Sequence, residues 1–111
     1  MNLFEELQQL IAQLKKSVKV LKDNGTVLAD KEKEYKEQLC KEVVKLKENG
    51  TAVTLIDKIV YGLPEVSTKR RERDVAEATY RANLEGIQSV KLQIKVIEEL
   101  INKDLQKKDE E

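Results

Sequence analysis

Leucine or isoleucine returns every seven residues in two separate stretches of this chain, and helix-breaking residues lie between the stretches. In the first, Leu7, Leu14, Leu21 and Leu28 lead at the same spacing to Tyr35; in the second, Tyr80 leads to Ile87, Ile94 and Ile101. An apolar residue at every seventh position falls on one seam of a helix that supercoils against a partner. Asn49-Gly50, Gly62 and Pro64 interrupt the pattern between the blocks. The expected fold is therefore all-α: an antiparallel, coiled-coil-like helical hairpin with a short helix at its tip, assembling as a four-helix bundle.

The boundaries follow from the local chemistry. Steps of three and four through Leu3, Leu7, Leu10, Leu14, Val18, Leu21 and Leu28 predict a long amphipathic helix over about 2–48. Asn24-Gly25-Thr26 is its weak point, because glycine inside a helix costs about 1 kcal/mol relative to alanine. The seven-residue series nonetheless passes through it in phase. A closely similar segment, Leu46-Lys47-Glu48-Asn49-Gly50-Thr51, has the marks of a helix end, with a lysine in the last turn and a glycine for a left-handed cap. If the first copy also ended a helix, the fold would be a three-helix bundle. Residues 53–61 read as the short helix, with Thr51 or Thr54 as its cap and Gly62 as its stop. Pro64 suits the first turn of a second long helix over about 65–107, and 108–111 read as a frayed tail. All of this fits one domain of 1–111.

If the chain turns near residue 57 or 58, Leu14 comes level with Ile101, Leu21 with Ile94, Leu28 with Ile87, and Tyr35 with Tyr80. The same alignment sets Gly25 near Val90.

Composition narrows the function classes. Lys+Arg and Asp+Glu are equal at 21 each, so the chain lacks the positive field usual in proteins whose main partner is nucleic acid. There is no histidine, and the single cysteine, Cys40, excludes an internal disulfide or a multi-thiolate metal site. Cys40 reads as a small, partly buried hydrophobe on a helix. No phosphate loop, zinc spacing, EF-hand or nucleophile elbow occurs, and a helical hairpin offers little pocket for converging carboxylates. No enzyme activity, cofactor, metal or membrane partner is expected. The first residues do not read as a signal peptide, since Glu5 and Glu6 precede any basic residue, and a cytoplasmic location is expected.

Three groups of residues stand out. Lys69, Arg70, Arg71 and Arg73 form the densest basic cluster, and cations near a helix N-terminus oppose the macrodipole. The bland reading gives them ion pairs, Arg70 with Asp74 and Arg73 with Glu77. Tyr61 and Leu63 flank Gly62 in the bend, where apolar groups are hard to bury. Leu92, Val96 and Leu100 recur every four residues opposite Ile87, Ile94 and Ile101, a second apolar stripe that predicts a homo-oligomer.

Val53-Thr54-Leu55-Ile56-Asp57-Lys58-Ile59-Val60-Tyr61-Gly62 and Glu72-Arg73-Asp74-Val75-Ala76-Glu77-Ala78-Thr79-Tyr80 together resemble small helical proteins encoded by phages and prophages of Gram-positive bacteria. The resemblance covers about residues 35–100 and implies an origin more than a function. The expected function is a non-catalytic protein–protein interaction module, a phage accessory protein acting on a host or phage partner through the segment from Ile59 to Arg73. The alternatives are a nucleic-acid accessory protein using the cluster at 69–73, and a structural component of the virion.

Overall fold

A computed structural model describes residues 2–110 and shows an all-α antiparallel hairpin. The long arms are α1 (Leu3–Glu48) and α3 (Pro64–Glu110), and α2 (Val53–Val60) is the short helix between them. No strand occurs among the described residues. Among them, too, no helix is long and apolar enough to cross a membrane.

Each end has a local cause. Asn2 Oδ1 accepts a hydrogen bond from the Glu5 backbone N–H at 2.9 Å, while Asn2 Nδ2 donates to Glu5 Oε1 at 3.4 Å. That satisfies one of the orphan donors at the start of α1. At the other end Gly50 takes a φ of +79°, a left-handed conformation that costs glycine nothing. Its N–H donates to the Lys47 carbonyl at 3.1 Å, and the Thr51 N–H donates to the Leu46 carbonyl at 3.0 Å, which closes the last turn. The earlier Asn24-Gly25 does not break α1. Leu28 and Tyr35 continue the seam beyond Gly25, and their burial outweighs the intrinsic cost of glycine.

The expected caps of α2 are corrected. Its N-cap is Ala52, in extended geometry with no side-chain hydrogen bond, and neither Thr51 nor Thr54 takes that role. Gly62 supplies no left-handed stop, since Gly50 is the one glycine at positive φ among the described residues. Instead Tyr61 stays right-handed, and the Gly62 N–H donates to the Ile59 carbonyl at 3.0 Å. Pro64 opens α3, where its missing N–H is not needed. The stretch expected to fray after Lys107 is helical through Glu110, with Lys107 and Lys108 complementing the helix dipole; Glu111 lies outside the described residues.

Contacts divide into two units, Asn24–Tyr80 and the pairing of the stretch up to Asp23 with the stretch from Arg81 onward. In Asn24–Tyr80 the core is Tyr35, Val60 and Val66, with Leu39, Val43, Leu46 and Leu63 packed against it. The last turns of α1 are thus covered by the connection and by the first turn of α3. In the other unit Ile87 and Val90 are buried, and the Asn83 side chain donates to the Ser17 carbonyl at 3.2 Å.

The register differs from the one expected. Lys31, which the expected alignment sets level with Leu84, meets Glu72 at 3.7 Å; Glu34, set level with Arg81, meets Lys69 at 3.7 Å. Gly25 lies against the Tyr80 ring, not Val90. α3 is therefore displaced by about twelve residues, roughly 18 Å at 1.5 Å per residue. Two causes account for it. The expected alignment matched each seven-residue series with its counterpart, whereas antiparallel seams set one series against the intervening positions of the other. The bend is also lopsided, because α2 and Leu63 cover the end of α1 that the alignment had given to α3.

The seam itself contains residues that an apolar search passes over. In α1 its half-buried positions include Ser17, Asn24, Lys31 and Gln38 between the leucines, and Glu42 is buried seven residues after Tyr35. Ser17 takes the place expected of Val18, which is 50% exposed.

Candidate interaction site

α2 carries apolar residues on both sides. Ile56 and Val60 point into the core, while Leu55 and Ile59, one turn apart on another face, are 47% and 40% exposed. Val53 at its start and Tyr61 at its end are exposed as well. A helix this short has no seam of its own, so its inward face is held by α1 and α3 and its outward face is left to solvent. Apolar residues gathered on the outward face of one short helix mark a contact surface. Sequence reasoning found Tyr61 here but passed over Val53 and Leu55. Their signal was present: alternation of inward and outward apolar positions in an eight-residue helix that cannot bury both.

The other expected site residues do not gather around Tyr61. Leu63 is half-buried and packs against the Tyr35–Val60–Val66 core. Lys69 and Arg73 sit at seam spacing and are engaged within the fold. Lys69 Nζ lies 3.5 Å from Glu72 Oε2 and 3.7 Å from Glu34 Oε2. Lys31 completes the group, 3.3 Å from Glu34 and 3.7 Å from Glu72, so two lysines and two glutamates alternate in a ring linking α1 to α3. The hydrogen bond to Glu34, then the charges of Glu34 and Glu72, hold the Lys31 ammonium above the usual lysine value.

Arg73 stacks its guanidinium 4.7 Å from the Tyr35 ring centroid and donates to Asp74 Oδ1 from Nη2 at 2.8 Å and Nε at 3.1 Å. Asp74, its sequence neighbour, raises its pKa further, and the carboxylate expected for Arg70 is the one Arg73 holds. Arg70 is exposed, and Arg71 lines a separate groove of about 300 Å³ with Val27, Val75 and Thr79. The basic run is thus two structural cations and two outward ones. Cys40, expected to be partly buried, is exposed. Leu92, Val96 and Leu100 are 65%, 54% and 42% exposed in the other unit.

Comparison with protein-family models, with characterised proteins and with solved structures returned no match to this chain.

Proposed function

We propose that the chain is a non-catalytic interaction module, working in the cytoplasm, that docks a partner protein on the outward face of α2. The observation that carries this reading is the half-exposure of Leu55, Ile59 and Tyr61 on an element whose opposite face, Ile56 and Val60, is buried. Such a surface is rigid, because the buried face fixes it, and apolar, which suits a protein groove better than phosphate. The engagement of Lys69 and Arg73 within the fold leaves less free cation for nucleic acid than the sequence suggested. Phosphate contacts would in any case give binding a steep salt dependence, which this reading does not expect.

The test is a photo-crosslinking residue placed at Leu55 in the full chain, with Val18 as an exposed apolar control outside α2, expressed in the host of origin. A defined protein partner crosslinked from position 55 and not from 18 is the expected result. Leu55→Glu with Ile59→Glu should then weaken that partner about thirtyfold or more, the loss typical of a central apolar contact, with helicity by circular dichroism unchanged. Equal crosslinking from both positions, or unchanged affinity in the double variant, would sink the reading.

A further inference from the structure

In the unit formed by the stretch up to Asp23 with that from Arg81 onward, an open groove of about 590 Å³ lies along the two arms. Leu10, Leu92, Val96 and Ile97 supply its apolar surface, and Gln9, Gln13, Ser89 and Gln93 its polar edge. Leu92 and Val96 are more than half exposed, and Leu100 continues their line one turn on. Two observations indicate what covers it.

The first is the amount of surface left in water. A compact monomer of this mass exposes about 6,300 Å², whereas this chain exposes 8470 Å². The excess, about 2,200 Å², is summed over the whole chain, both units included, and is enough to supply one protomer's share of an obligate homodimer interface, about 1,000–2,500 Å². The second is the character of the edge. Of the nine residues lining the groove only Glu6 is charged, in a chain where 38% of residues are. Across a two-fold axis a side chain near the axis meets its own copy. A charged residue there repels itself, but an amide or hydroxyl carries both donor and acceptor and pairs with itself. Three glutamines and a serine around an apolar floor are therefore suited to self-association.

We infer that a second copy of this chain occupies the groove across a two-fold axis, Leu92 and Val96 of each protomer packing into the other's groove to complete a four-helix bundle. The inference is independent of the partner reading for α2, which concerns residues of the other unit.

Sedimentation equilibrium of the full chain decides it. At tens of micromolar the expected mass is twice the 12.8 kDa of the chain. Leu92→Glu with Val96→Glu should give the monomer mass with unchanged helicity, since both residues are exposed in the single hairpin. Gln93→Glu, a milder exposed change that sets like charges across the axis, should raise the dimer dissociation constant by about tenfold or more. It decides the matter if the first variant loses helicity. A monomeric wild type, or a dimer whose dissociation constant Gln93→Glu leaves unchanged, overturns the inference.

Discussion

Two glycines of α1 and its end show how one residue type is used in opposite ways. A Cβ added at Gly25 would stand 3.4 Å from Tyr80 Cε2, ordinary van der Waals contact. Gly25→Ala should therefore be accommodated and gain helix propensity, stabilising the fold by about 0.5–1 kcal/mol. Gly25→Leu has no such room and should destabilise by displacing the ring. Gly50 meets nothing within 4 Å, but its φ of +79° is the wrong hand for a side chain. Gly50→Ala should cost about 1–2 kcal/mol. Thermal melts of the three variants check the signs: one rise of about 3–5 °C and two falls. A fall for Gly25→Ala would mean that the ring cannot accept even a methyl group. Sequence alone offered both glycines as stops and could order them only through the seam that continues past Gly25. That the contact there is Tyr80 depended on register, which lay beyond it.

At the scale of elements, the arms were legible and their alignment was not. Leu14, Leu21 and Leu28 announce a seam because apolar recurrence at seven is rare by chance. Any such series can be matched to another with some sum, so recurrence leaves the stagger open. The residues that record the stagger are polar: Lys31 and Glu34 on α1 with Glu72 and Lys69 on α3. They read in sequence as ordinary surface charge, and only their pairing across the arms gives them meaning. Lys31→Glu should set that residue against Glu34 and Glu72 and lower the urea midpoint only slightly, as befits solvent-accessible pairs. Reversing all four charges should restore most of the loss.

The raised pKa of Lys31 fixes the sign of its pH dependence. Its contribution is complete below the ordinary lysine value of 10.5 and is lost as pH rises through the higher folded value. The urea midpoint of the wild type should thus exceed that of Lys31→Met by a constant margin from neutral pH to about 10, narrowing above. A margin that already shrinks between pH 7 and 9 would show that Lys31 is not held in this ring.

For the whole molecule, the small number of buried side chains sets the expectation. Seven hydrophobic residues are buried among those described, and large apolar side chains from Phe4 to Leu105 remain exposed. If self-association supplies the missing burial, folding and dimerisation are linked and the melting temperature climbs with protein concentration. A midpoint independent of concentration over a hundredfold range would mean that the hairpin stands alone. The ring of Tyr80 over the gap at Gly25 bears on something else, the way such a chain can change its length. A slip of one seven-residue repeat would drive the ring onto Val18 or Glu32, positions with side chains where the present partner has none. Deletion of a repeat from one arm between this contact and the bend forces such a slip, whereas deletion of one from each arm there keeps ring and gap together. Between this contact and the bend, viable descendants of the hairpin should therefore grow or shrink by two repeats at a time, one in each arm.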